Sequence, residues 1–149
     1  MNLEQLRQQF RIDADDLVNN PPLWEDEWIA AWLTEAQDQA AMRARLLLDD
    51  YTPALTHIAV TAGVDSCPLH PKLYEIAVID FVPVTGYVQP VYLTSREKLD
   101  RDRNGWRNEP PGTPCNAIQT DTRLRLVPVP SIDGSLRIEG YRLPLKALS

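Results

Sequence analysis

The hydrophobic period changes once along this chain, near residue 50, and that change limits what the chain can fold into. Before it, apolar residues recur every three to four positions, as on one face of a helix. After it they alternate, and eleven of the thirteen prolines lie there. Alternation broken by prolines is typical of short strands. The sequence therefore predicts an α+β fold with a helical part at 1–50 and a mainly β part at 54–149, in one domain spanning 1–149.

Two helices are predicted in the first part. Residues 2–10 carry Leu3, Leu6 and Phe10 at helical spacing, with Asn2 as the N-cap. The longest periodic stretch predicts a helix over about 25–48, begun by acids and ended by arginines, as the helix dipole favours. Its apolar face carries three tryptophans and is expected to be core, packed on a small antiparallel sheet or sandwich; the alternative is a partner interface.

The second part predicts strands at 55–63, 73–84 and 86–93, and a C-terminal hairpin formed by 122–130 and 135–145 around the turn at 131–134. A short helix is expected near 95–100, capped by Thr94 or Ser95. A polar loop at 100–115 then places Trp106 between glycine, prolines and charged residues. An aromatic side chain in such a loop needs a pocket in its own domain or a neighbouring one.

Catalytic and metal-binding patterns are weak. Cys67 and His70 form a CxxH spacing that Cys115 and His57 could join as zinc ligands, but a single such pair is more often two partly buried thiols with ordinary histidines. The acids at 13–16 lack the glycine and the terminal glutamate of a calcium loop. We expect no enzymatic activity, no cofactor and no metal. A small enzyme using Cys67 and His70 is a remote alternative.

The formal net charge is −6, which disfavours tight binding of nucleic acid. The start of the chain is amphipathic and lacks the apolar core of a signal peptide, and no stretch reaches the length of a membrane span. We therefore expect a protein that is cytosolic when made, with reduced thiols and no membrane partner.

Several stretches together resemble the head-to-tail adaptor (connector or neck) proteins of tailed bacteriophages. They lie in the family's order and cover nearly the whole chain: LWEDEWIAAWLTEAQDQAAMRARLL, IAVTAGVDSCPLHPKL, LTSREKLDRDRNGW, GTPCNAI and RLRLVPVPSIDGSLRIEGYRLPL. The family's usual aromatic residue before the PL pair is Cys67 here, which argues further against a reactive thiol.

The resemblance implies a structural protein of the virion neck that forms a ring, twelve-fold in the family, between the portal protein and a tail, nozzle or tail-tube protein. Its partners would be these proteins, other copies of itself, and genomic DNA that passes through without sequence-specific binding. A tail-completion or tail-terminator ring is the alternative. We expect the loop at 100–115 to be an inter-subunit or portal-facing arm, with Trp106 as its anchor and Arg101, Arg103, Arg107 and Trp24 as further interface residues.

Overall fold

The computed structural model describes residues 1–18 and 21–146. The chain forms two compact units, one of residues 1–47 with the C-terminal residues from Leu143, the other of Leu48–Arg142. Helices dominate the first unit and strands the second, so the predicted α+β class is confirmed.

Helix α1 spans Leu3–Asp13 and begins as predicted. The Asn2 side chain accepts a hydrogen bond from the Gln5 backbone N–H at 2.9 Å, and the Gln5 side chain accepts one from the Asn2 backbone N–H at 3.0 Å. This reciprocal cap satisfies two N–H groups that have no partner within the helix. The helix ends three residues later than its apolar spacing predicts, because residues 11–13 continue it without adding to the apolar face.

Helix α2 spans Asp26–Ala44, so the prediction of 25–48 is four residues too long at its C-terminal end. Arg45 adopts the left-handed conformation with a φ of 49°, and its N–H donates to the Ala41 carbonyl, which closes the helix. The following residues form strand β1, Leu48–Asp49, which pairs with a later strand. Leu47 has the spacing of a further helical residue, but the strand pairing that begins at Leu48 keeps the chain from continuing the helix.

The hairpin of α1 and α2 is held by Arg11. Its guanidinium donates to Asp16 and to Asp26, each at 2.6 Å, and to the Trp24 carbonyl at 2.9 Å. The Asp26 partner raises the pKa of Arg11, and the hydrogen bond from Arg11 lowers the pKa of Asp26. Asp16 is buried and also accepts from the Leu23 N–H, so one carboxylate fixes the connection between the helices.

The second unit contains two sheets and two short helices. The helices are α3, Pro53–Thr56, and α4, Arg96–Asp102. The strands that follow β1 are β2 His57–Val60, β3 Ser66–Pro68, β4 Leu73–Pro83, β5 Gln89–Pro90, β6 Tyr92–Leu93, β7 Asn116–Gln119, β8 Arg123–Val127 and β9 Gly134–Arg142. The first sheet has the order β1-β9-β4-β5, and β2 also pairs with β9; the second sheet has the order β3-β8-β7-β6.

Both sheets contribute to one core, whose buried side chains include Phe81, Leu136 and Ile138 from the first sheet and Leu124 and Leu126 from the second. The pairing within the sheets is antiparallel except between β6 and β7, which run parallel. The prediction of an antiparallel sandwich therefore holds for every strand pair but this one.

The predicted C-terminal hairpin is wrong. Strand β8 pairs with β3 and β7 in one sheet, whereas β9 pairs with β4, β1 and β2 in the other. The turn between them carries the chain from one sheet to the other. Alternating leucines require one buried face for each strand, but they do not require the two strands to be neighbours.

Strand β9 passes very close to β4 at Gly140. A Cβ atom there would lie 2.6 Å from the Glu75 carbonyl oxygen and 2.8 Å from the Leu73 side chain. We expect Gly140→Ala to lower the free energy of unfolding by about 1–3 kcal/mol, because the backbone of β4 must shift. Gly112→Ala is the matched control, since its new Cβ would meet Pro128 at 3.4 Å. Equal urea midpoints for the two variants would refute this account.

Candidate partner-binding surfaces

The cysteine and histidine candidates each have separate local surroundings. Cys67 is buried in the core, and burial raises the pKa of its thiol. His70 Nδ1 accepts a hydrogen bond from the Lys72 N–H at 3.1 Å. Cys115 Sγ accepts one from the Arg103 guanidinium at 3.0 Å. Within residues 1–18 and 21–146, no three metal-ligating side chains come together.

The two thiols should therefore react differently in the folded protein. Cys115 is half-buried, whereas Cys67 is 3% exposed and its thiol is harder to ionise. Because the thiolate is the reactive form, we expect a disulfide reagent at neutral pH to label Cys115 first and Cys67 only on unfolding. Cysteine-to-serine variants assign each labelling phase. Faster labelling of Cys67 would show that its environment is open.

Trp106 does not project from its loop. Its side chain is 3% exposed and lies in a second core cluster with Leu99, Ile118 and Val127. The indole N–H donates to Asp100 at 2.8 Å, and the guanidinium of Arg107 stacks 4.4 Å from the ring centroid. The expectation of an exposed anchor is therefore wrong: the pocket that Trp106 needs is provided by its own chain.

The segment around Trp106 is folded rather than extended. Of the two predicted caps, Thr94 and Ser95, Ser95 caps α4 by accepting from the Lys98 N–H. A 3-10 turn, Trp106–Asn108, follows the helix. Ion pairs neutralise most of its charges. They join Arg101 to Asp102, Arg103 to Glu109 and Arg107 to Asp100. The charges that suggested a solvated loop therefore bond to one another, and a role of these arginines in an interface stays a prediction.

The tryptophans of α2 are more exposed than their spacing predicts. Trp28 is 52% exposed and Trp32 is 43% exposed, and the buried residues of the helix are Ile29 and Ala41. The expectation that this face is core is wrong for these two side chains. The half-buried residues Ala30, Leu33 and Gln37 lie between Ile29 and Ala41 around the helix, so the covered face is turned away from Trp28 and Trp32.

Trp24 stands just before α2 and is half-buried. Its ring meets Trp32 edge-on at a centroid distance of 5.4 Å, and Trp32 lies 6.1 Å from Phe10. This aromatic cluster joins α1 to α2, so Trp24 has a structural role in its own unit. Its predicted role in an interface stays a prediction.

Two exposed apolar surfaces of the second unit were missed by sequence reasoning. The turn between β4 and β5 presents Val84, Tyr87 and Val88, and strand β6 presents Tyr92 and Leu93. In the sequence, these residues form a strand-like apolar run that Gly86 and Pro90 interrupt, and this run alone predicts an ordinary strand. Interruption by glycine and proline shortens the pairing and leaves the apolar residues uncovered.

A half-open cleft of about 260 Å³ lies beside the exposed residues of β6, between α4 and β6. Its wall combines apolar side chains with two cations, Lys98 and Arg103, and one acid, Asp102. One stretch of the first unit is acidic: residues 12–42 include eight acidic residues and no lysine, arginine or histidine. Exposed aromatic residues with charged neighbours are typical of surfaces that bind other proteins.

Comparison with protein families shows the class of protein to which the chain belongs. The family model of the SU10 adaptor protein matches residues 1–149, the whole chain. The chain belongs to this family. The predicted resemblance to phage head-to-tail adaptors is thereby confirmed. No curated protein matches the chain.

Membership in the adaptor family makes this chain a phage structural protein that interacts with other head or tail proteins, as a component of the virion. An adaptor joins other proteins by binding them, which agrees with the expectation of a structural role rather than an enzymatic one. Among the described helices, none is both long and apolar enough to cross a membrane.

Proposed function

We propose that the adaptor forms a ring in the virion neck, between the portal protein and the tail or nozzle, and that genomic DNA passes through this ring during packaging and ejection. The observation that carries the proposal is the match of the whole chain to the adaptor family. The twelve-fold symmetry of the ring is what the resemblance to head-to-tail connectors implies.

The surface chemistry supports more than one contact with other proteins. Trp28 and Trp32 are exposed in the helical unit, and Tyr87 and Tyr92 are exposed in the β unit. A ring subunit between two structures needs surfaces for its neighbours, for the portal and for the tail, and exposed aromatic residues are favoured anchors for such contacts. One isolated patch would instead suit a protein with a single partner.

The charge supports passage of DNA. A net charge of −6 on each copy is multiplied by the number of copies in the ring. Phosphates that pass such a ring are repelled rather than bound, so the nucleic acid can move without sticking. We therefore expect DNA to pass through the ring without binding to it.

The test is a phage whose adaptor gene carries a nonsense codon. We expect DNA-filled heads and complete tails that do not join, and purified adaptor should restore joining in vitro. Incubating the adaptor first with heads or first with tails, and then removing the excess, shows which half it binds. Restoration through heads supports the adaptor, and restoration only through tails indicates a tail-completion protein instead.

The free protein is expected to be mainly a monomer at micromolar concentration. Each copy has its own core, and copies that carry the same net charge repel one another in solution. A portal that is already a ring holds neighbours at high effective concentration, so weak lateral contacts suffice there. Sedimentation velocity of the purified adaptor tests this. A ring that is stable without the portal at moderate salt would contradict it.

A further inference from the structure

We propose that the exposed Trp28 of one copy docks in the cleft between α4 and β6 of the next copy. The inference rests on the ring proposed above and names the lateral contact that builds it. It joins two features that lie on different units of the chain: an aromatic side chain on an acidic helix, and a partly apolar cleft that is lined by Lys98.

The docking residue is set apart from the other aromatic side chains of its unit. Phe10, Trp24 and Trp32 contact one another, whereas Trp28 makes none of these ring contacts among the described residues. Half of its surface is exposed, on a helix whose buried residues are Ile29 and Ala41. At roughly 100° per residue, Glu35 lies on the same face two turns after Trp28, so a carboxylate follows the exposed indole along the helix.

The cleft matches a single large side chain. Its apolar wall is formed by Tyr92, Leu93 and Leu99, and its volume of about 260 Å³ lies below the range of about 300–1,000 Å³ that is usual for small-molecule sites. It is half-open, so a side chain presented by a helix can enter from outside. Tyr92 is 65% exposed at its mouth and offers apolar surface that such a side chain would cover.

The charges of the two surfaces are complementary. Lys98 lines the cleft together with Arg103 and Asp102, and each of the latter two has an ion-pair partner within its own chain. The opposing stretch, residues 12–42, contains eight acidic residues and no cation. A carboxylate at the edge of the docked indole therefore meets a lysine, and a cation near the indole face adds further attraction.

A contact between two different surfaces of the same chain repeats from copy to copy. Such heterologous contacts form rings when the rotation closes. One aromatic anchor with a rim of charges gives a modest affinity, which suits a contact that forms on a template and not in free solution. The contact therefore agrees with a free monomer.

The experiment uses purified portal protein of the same phage as the template and counts adaptor copies per portal by sedimentation and light scattering. Glu35→Lys and Lys98→Glu should each raise the adaptor concentration for half-occupancy by about tenfold or more, because each places like charges at every lateral contact. The double variant reverses both charges of the same contact and should return to within about threefold of the wild type. Trp28→Ala should lose assembly without a change in thermal midpoint.

Glu27→Lys is the matched control, since it makes the same charge change on the same helix, roughly 100° around the axis from Trp28. It should assemble within about threefold of the wild type. Loss equal to that of Glu35→Lys would show that net charge rather than location matters, and a double variant no better than the single ones would also overturn the contact. Failure of the wild-type adaptor to bind the portal would instead contradict the proposed ring.

Discussion

Asp49→Ala is expected to lower the free energy of unfolding by about 3–5 kcal/mol, because it breaks a buried ion pair and leaves several buried donors without their acceptor. The Asp49 side chain is fully buried and receives hydrogen bonds from the Tyr51 N–H, from the N–H and hydroxyl of Thr52, and from the Arg142 guanidinium. This one carboxylate ties β1 and the turn before α3 to the end of β9. Urea denaturation measures the change.

The adjacent residue provides the control. Asp50 is exposed, so Asp50→Ala should change the free energy of unfolding by less than about 0.5 kcal/mol. Similar losses in the two variants would show that the network around Asp49 does not stabilise the fold.

The same carboxylate gives a dependence on pH. Burial alone would raise its pKa, but hydrogen bonds from Thr52, Arg142 and Tyr51 outweigh that effect and lower the pKa from 3.8 to about 2. Because the folded state holds the charged form, this stabilisation is complete above pH of about 4 and is lost as the pH falls through about 2. Asp49→Asn should flatten the stability profile in that window. An unchanged profile would contradict the assignment.

Trp106→Ala is expected to lower the free energy of unfolding by about 3–5 kcal/mol, as removal of a large aromatic side chain from a core does. The change empties the cluster around Leu99 and Val127 and removes the hydrogen bond to Asp100. It also removes the ring on which Arg107 and Arg125 lie, at 4.4 and 5.2 Å from its centroid. Thermal and urea melts of the purified protein measure the loss.

Trp28→Ala is the natural comparison, because it removes the same side chain from an exposed position. We expect a change of about 0.5 kcal/mol or less. If Trp28→Ala destabilised the protein more than Trp106→Ala, the burial of the two tryptophans would be the reverse of what the structure describes.

Local features of the fold could be predicted from the sequence. The cap at Asn2, the cap at Ser95 and the long strand at Leu73–Pro83 each depend on residues that are close in sequence. A capping side chain bonds within three residues, and alternation indicates a strand wherever its partner lies. These elements therefore needed no knowledge of the tertiary structure.

The features that were missed depend on distant partners. Leucine alternation in β8 and β9 says that each strand has a buried face but not which sheet contains it. Trp106 is buried by Ile118 and Val127, which lie on strands after the loop, and its polar neighbours in sequence pair with one another. A local reading therefore interpreted a satisfied network as a solvated loop.

In the helix that carries Trp28 and Trp32 the error is the opposite one, because side chains expected to be buried are exposed. Helical spacing places apolar residues on one face, and a buried face is the usual reason for that pattern. A face that binds another protein has the same pattern, so spacing cannot separate the two cases. The exposed side chains of Trp28 and Trp32 favour the second case, contact with a neighbouring copy.

The central claim is that this adaptor forms a ring between portal and tail, and a reconstruction of the neck of the intact virion tests it most directly. We predict a closed ring of adaptor copies directly beneath the portal, with DNA or an open channel on its axis. A neck that lacks this chain, or density for it only at the end of the tail away from the head, would contradict the account.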